Sequence, residues 1–133
     1  MTTPATPLAP NERLLETLGG LSAAHLYQSY LNIGLLADAV DNKTYTQAQA
    51  LEMLTTVVGL MNTVDKQLDR LAKNDLSADD KRDVERIRSI SALLRVQVVA
   101  LRAYWSTGSA QQAVRYHEAR DKAWQGLSEV LGL

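Results

Sequence analysis

The residues of this chain that could do chemistry are most concentrated in one stretch, RYHEARDKAW, which spans Arg115–Trp124. It holds a tyrosine, a histidine, two arginines, a lysine and two carboxylates. Helical spacing places His117 and Arg120 on the face that points toward the core, whereas the carboxylates point outward. A buried guanidinium without a counter-charge is costly unless it is hydrogen-bonded, reaches water along its methylene groups or binds an anion.

The partner of this stretch should be the first helix of the chain. If the first and fourth helices are antiparallel neighbours, Arg120 lies level with Ser29 and Tyr30. By the same reasoning His117 lies level with Asn32. We call these five residues the polar seam. Two roles are open for it: it fixes the register of the fourth helix, or it binds a small molecule or an anion. The first is favoured, because hydroxyl and backbone oxygens at this level can satisfy the guanidinium.

Catalytic motifs are absent from the sequence. Di-iron bundles use Glu-x-x-His on two helices, but the residue three before each histidine here is a serine or a valine. No glycine-rich phosphate-binding loop occurs, and the lack of cysteine excludes thiolate nucleophiles and thiolate metal ligands. A serine nucleophile could be built only by pairing Ser29 with His25 or His117. We therefore predict that the protein is not an enzyme and has no catalytic or metal-ligating residues.

The most specific cofactor alternative is a non-covalent haem whose iron is bound by a methionine and a histidine. The sequence offers these ligand types at Met53, Met61, His25 and His117. Met61 falls on a core stripe, where methionine fills gaps far more often than it binds a metal. The large aliphatic residues of the second and third helices leave no room for a macrocycle, so we predict no cofactor.

Composition and charge exclude two further classes of function. The formal net charge of −1 lacks the basic excess that nucleic-acid-binding proteins use. Residues 17–37 contain no Asp, Glu, Lys or Arg, and the segment is long enough to span a bilayer. It also contains serines, a histidine, a glutamine and an asparagine, which make it too polar for a membrane span.

The elements that position these residues are predicted to be four helices. No proline follows Pro10, and apolar residues from there on recur with the helical period. The predicted helices cover about residues 12–40, 47–73, 78–106 and 110–131. Their predicted N-caps are Asn11, Thr46, Ser77 and Ser109. Residues 1–10, MTTPATPLAP, have prolines at every third position and are predicted to be a disordered, extended tail.

Short connections and heptad spacing define the predicted architecture. Short connections make consecutive helices antiparallel, and an apolar period of 3.5 residues implies a left-handed supercoil. We therefore predict an all-α, antiparallel, up-down-up-down four-helix bundle over residues 11–133. The predicted inward positions are Leu15, Leu18, Leu26, Ile33, Leu36 and Val40; Leu54, Val57, Met61, Val64, Leu68 and Leu71; Val84, Ile87, Ser91, Leu94, Val98, Leu101 and Trp105; and Ala113, His117, Arg120, Trp124, Leu127 and Leu131.

The first helix is predicted to be apolar on a second face. Tyr27, Leu31 and Leu35 recur on the side opposite to the inward stripe, and Ala24 lies beside them. A helix that is apolar on more than one face is usually buried by something more than its own bundle. The simplest partner is a second copy of the chain, so we predict a homo-oligomer that forms through the first helix.

Three segments carry a resemblance to known proteins: YLNIGLLADAV at residues 30–40, NTVDKQLDRL at residues 62–71 and LRAYW at residues 101–105. They resemble a group of small, helical, exported bacterial proteins without a known activity, and the likeness covers most of the chain after residue 20. The resemblance implies a bacterial origin and a location outside the cytoplasm, such as the periplasm, although no signal peptide is visible here and the residues do not exclude the cytoplasm. It implies no cofactor and no site residues.

Overall fold

The computed structural model describes residues 10–133, with side chains from residue 12 onward. This part of the chain forms four helices and no strand: α1 (Pro10–Asp41), α2 (Gln47–Ala72), α3 (Ala78–Thr107) and α4 (Ala110–Leu131). These bounds lie within two residues of the predicted ones, and the all-α four-helix bundle is confirmed. The predicted tail lies outside the described residues, apart from Pro10, at which α1 begins.

The helix starts agree with the predicted N-cap residues at three of the four positions. Thr46 and Gln49 exchange hydrogen bonds between side chain and backbone, which completes a capping box at the start of α2. Ser77 accepts one backbone hydrogen bond at the start of α3. Ser109 is the N-cap of α4, as predicted, but its side chain makes no cap hydrogen bond. The prediction for Asn11 is wrong, because this residue lies inside α1.

The four helices are arranged as a rhombus rather than a square. α1 packs directly against α3, and α2 and α4 lie on opposite sides of this pair without contacting each other. Two ion pairs, Asp65–Arg95 and Asp69–Arg88, join α2 to α3. The later residue of α2 pairs with the earlier residue of α3. These two helices are therefore antiparallel. The left-handed supercoil and the complete up-down-up-down order stay predictions.

The core lies along the predicted stripes of α2 and α3. α3 contacts all three other helices, and each of its seven predicted inward residues is buried. α2 contributes four of its six predicted positions to the buried set, with Val64 and Leu71 partly buried. Each fully buried aliphatic side chain contributes about 1.5–3 kcal/mol of transfer free energy. The large apolar side chains that are fully buried are Leu26, Ile33, Leu54, Met61, Leu94 and Leu127.

The prediction for the inward face of α4 is wrong: the buried face is rotated about the helix axis by about one residue from the predicted one. The buried positions of α4 are Tyr116, Ala119, Ala123 and Leu127. His117 is exposed and Trp124 is 40% exposed. The small residues allow a close approach to α3: a Cβ atom at Gly126 would lie 2.9 Å from Cγ1 of Ile90. Larger side chains of α4 therefore lie at the edge of the contact or face α1.

Candidate functional site

The centre of the polar seam is Arg120, which joins α4 to both α1 and α3. Its Nη1 donates hydrogen bonds to the backbone carbonyl oxygen of Tyr30, at 3.0 Å, and to Oε1 of Gln97, at 3.3 Å. Its Cζ atom lies 3.8 Å from the centroid of the Tyr30 ring, within the range of a cation–π interaction. One side chain of α4 thus contacts both α1 and α3 at a single level of the bundle.

The room for this guanidinium comes from Gly34 on α1. A Cβ atom at this position would lie 2.2 Å from Nη2 and 2.7 Å from Cζ of Arg120. Real Cβ atoms do not approach other atoms so closely, because steric repulsion rises steeply below contact distance. The position of Arg120 therefore depends on the absence of a side chain at Gly34.

Arg120 also lines a cavity of about 200 Å³ between α1, α3 and α4, which we call the Arg120 cavity. Two carboxylates and four aromatic or imidazole side chains line it as well: Asp38, Asp41, Tyr104, Trp105, Tyr116 and His117. No carboxylate among residues 12–133 forms an ion pair with Arg120. The cavity therefore presents a guanidinium that is hydrogen-bonded but not neutralised by an ion pair.

The protonation of Tyr116 reflects this setting. Burial raises the pKa of its hydroxyl above the ordinary value, and the carboxylate of Asp38 acts in the same direction. The charge of Arg120 and a hydrogen bond from it oppose the rise in the pKa of Tyr116. The phenol consequently stays neutral at physiological pH and is able to donate a hydrogen bond into the cavity.

The structure brings together some of the predicted seam residues and separates others. Arg120 meets Tyr30 at the predicted level. Ser29 is buried and Asn32 is half-buried, but neither lines the Arg120 cavity. His117 was predicted to point inward and is exposed; it reaches the cavity from its rim and packs edge-on against Tyr116, with ring centroids 5.2 Å apart.

Sequence reasoning missed two residues that hold Arg120 in place. In the sequence, Gly34 is one residue of an apolar helix and carries no signal of this contact. Gln97 lies in the run Val96–Val99 of α3, where an isolated amide among valines is a signal for a buried hydrogen bond. It is 0% exposed, and its Nε2 has no partner within the described residues.

Among residues 12–133, neither Ser29 nor another serine is hydrogen-bonded to His25 or His117. Ser91 donates its hydrogen bond to Oδ1 of Asp65 at 2.7 Å, and Arg95 binds the same carboxylate. Nε2 of His25 is buried without a hydrogen-bond partner in residues 12–133. Burial lowers the pKa of His25, and the charge of Asp65 partly offsets this effect.

The residues considered for haem or metal binding differ in their burial. Met61 is buried in the core cluster, whereas Met53 and His117 are both exposed. In the part of the chain that the structure describes, no group of three or more His, Asp and Glu side chains is placed to hold a metal ion.

The second apolar face of α1 differs in two ways from its predicted composition. Ala24, Leu31 and Leu35 are exposed. Tyr27 is half-buried and packs against Trp124, with ring centroids 6.3 Å apart, so it belongs to the contact between α1 and α4. Leu18, which was predicted to point inward, is exposed.

The exposed face of α1 forms a continuous stripe at intervals of three and four residues. We call it the α1 outer stripe, and it consists of Leu14, Thr17, Leu21, Ala24, Gln28, Leu31 and Leu35. The leucines in it are 38–64% exposed. None of its members is charged, and it is about 30 Å long by the helical rise. The spacing is that of the a and d positions of a coiled coil.

Two further observations concern the chain as a whole. None of the helices within residues 10–133 is long and apolar enough to cross a membrane. No family model, curated protein or solved structure matches this chain.

Proposed function

We propose that the protein is a non-enzymatic helical bundle that works through protein–protein contact, and that the α1 outer stripe pairs it with a second copy. The observation that carries the proposal is the exposure of Leu14, Leu21, Leu31 and Leu35 along one uncharged line. Single exposed leucines are ordinary. An apolar row of this length on a soluble protein is typical of an interaction surface.

The arrangement of the stripe favours a second copy as the partner. Its leucines lie toward both ends, and Ala24 and Gln28 lie in the middle. In an antiparallel, two-fold pair centred near Ala24, Leu14 of one copy lies level with Leu35 of the other, and Leu21 and Leu31 lie level with Gln28 and Thr17. The small side chain of Ala24 near the centre allows the two helices to approach closely. The absence of charge along the stripe means that it does not repel its own copy.

Light scattering on a sizing column tests this proposal. We expect the wild-type protein to run as a dimer at high concentration and the variant Leu31→Glu with Leu35→Lys to run as a folded monomer. Leu60→Glu is the matched control, because Leu60 is a 60% exposed leucine on α2, outside the stripe, and this variant should remain a dimer. A wild-type protein that is monomeric at high concentration contradicts the proposal.

A second candidate function is the binding of a small anion in the Arg120 cavity. The observation that favours it is that Arg120 lines the cavity without a carboxylate partner in residues 12–133. Asp38 and Asp41 at the same cavity favour a ligand that also carries an ammonium group, such as an amino acid. Amino acids, acetate or phosphate should then raise the melting temperature of the wild type and not that of Arg120→Met. The absence of any such shift in the wild type contradicts this function.

A further inference from the structure

A larger cavity lies at the end of the bundle where α1 and α3 begin and α2 and α4 end. Its volume is about 630 Å³, within the range of cavities that bind small organic molecules. We call it the end cavity. Its apolar walls come from all four helices and include Leu15, Leu68, Leu71, Val84, Ile87 and Val130. It shares none of the polar seam residues.

Two adjacent glycines on α1 lie along this cavity. Gly19 and Gly20 both line it, and a Cβ atom at either position would meet no atom within 4 Å. At Gly34 and Gly126, by contrast, a Cβ atom would collide with a neighbouring helix. A glycine inside a helix costs about 1 kcal/mol relative to alanine. Packing within the described chain does not fill the space beside Gly19 and Gly20.

The charged groups that line the end cavity are mainly acidic, although the chain as a whole has a net charge of only −1. Six carboxylates and one guanidinium line it. The guanidinium, Arg86, lies 3.6 Å from Glu129. Asp79 and Asp80 lie in the first turn of α3, where acidic residues stabilise the helix dipole. This explanation does not extend to Glu16 and Asp83, which lie beyond the first turns of their helices.

Glu16 and Asp83 have no ion-pair partner among residues 12–133. They lie on α1 and α3, respectively, and both line the end cavity. Carboxylates beside an apolar cavity repel fatty acids and other anionic ligands and attract cations. The apolar walls, in turn, favour a ligand with an apolar body over a small hydrated ion.

We propose that the end cavity binds an organic cation with an apolar body, whose charged group lies against Glu16 and Asp83. The apolar body displaces water from the leucine and valine walls, and this transfer supplies most of the affinity. The carboxylates select the charge of the ligand. This site is separate from the α1 outer stripe, so each of the two proposals can fail without the other.

Isothermal titration with two probes of the same shape tests the site. Adamantylammonium and adamantanecarboxylate share one rigid apolar body and carry opposite charges. We expect the wild type to bind the cation at least tenfold more tightly than the anion. The double variant Glu16→Gln with Asp83→Asn should lose this preference and still bind the apolar body. Equal binding of the two probes by the wild type, or no binding of the cation, overturns the proposal.

A substitution that fills the cavity separates this site from binding elsewhere on the surface. Gly19→Trp places a large side chain in the open space and should weaken binding of adamantylammonium at least tenfold. Loss of folding is not expected, because tryptophan is a better helix former than glycine, and circular dichroism checks it. Gly59→Trp is the matched control: Gly59 is a helical glycine on α2 with no atom within 4 Å of a Cβ, and its variant should bind as the wild type does. Unchanged binding by a folded Gly19→Trp variant overturns the location.

Discussion

Arg120 occupies the space that a side chain at Gly34 would need: a Cβ atom there would lie 2.2 Å from the Nη2 atom of Arg120. The two residues are on different helices, and the hydrogen bond from Arg120 to the carbonyl oxygen of Tyr30 is on the same part of α1. Sliding or turning α4 against α1 would break this hydrogen bond and drive the guanidinium into the α1 backbone. The pair therefore fixes the register of the two helices.

Gly34→Ala should destabilise the protein by about 1–3 kcal/mol, because the new methyl group displaces Arg120 and breaks charged hydrogen bonds. The higher helix propensity of alanine offsets part of this loss. Urea titration of the free energy of unfolding measures the effect. Gly59→Ala is the control: it meets no neighbouring atom and should stabilise by up to about 1 kcal/mol. A Gly34→Ala variant as stable as Gly59→Ala would show that the contact does not constrain the helices.

Arg120→Met should also destabilise, by about 1–3 kcal/mol. Replacing an inward charge with an apolar side chain is often neutral or stabilising. The burial of Gln97 makes this replacement destabilising instead. The Gln97 amide is 0% exposed, and its Nε2 already lacks a hydrogen-bond partner within the described residues. The loss of Arg120 would leave Oε1 of Gln97 unpaired as well. Arg120→Met with Gln97→Leu should recover most of the stability in the same titration. A double variant no more stable than the single one contradicts this account.

The extent to which the sequence predicted the structure differs between helices for a physical reason. α3 contacts all three other helices, so its buried face is wide and follows the large apolar residues. α4 meets α3 through Ala119, Ala123 and Gly126. The spacing of large side chains cannot reveal an interface built on small ones. It therefore predicted His117 and Trp124 as inward residues of α4.

The candidate sites were predictable to different degrees. The prediction that Arg120 and Tyr30 lie at the same level of the bundle follows from helix length and antiparallel order. The structure contains this contact. The role of Gly34 depends on the approach of two helices to within contact distance, which no periodicity encodes. The end cavity lies among four helix ends, so it could be identified only in three dimensions.

The two tryptophans should differ in their contributions to stability, although the sequence predicts both as core anchors. Trp105 is 8% exposed, and its replacement by alanine should cost about 3–5 kcal/mol. Trp124 is 40% exposed and stacks on Tyr30 with ring centroids 5.8 Å apart. Trp124→Ala should cost only about 1–2 kcal/mol, the contribution of a partly buried aromatic contact. Denaturant titration of the two variants compares the losses directly, and equal losses contradict the rotated position of α4.

His25 should make the stability of the protein depend on pH near neutrality. Burial lowers its pKa below the ordinary value of 6.5, and the charge of Asp65 offsets this only in part. Below pH 6.5 the unfolded chain therefore binds a proton at this position more readily than the folded chain does. The stability from His25 is complete above pH 6.5 and is lost as the pH falls below it, by at most about 1.4 kcal/mol per pH unit for one proton. Chemical denaturation at pH 5.5 and pH 7.5 should show a decrease at the lower pH in the wild type and in the control His117→Gln. The decrease in the free energy of unfolding should be smaller in His25→Leu. A decrease of the same size in this variant would assign the pH dependence to other groups.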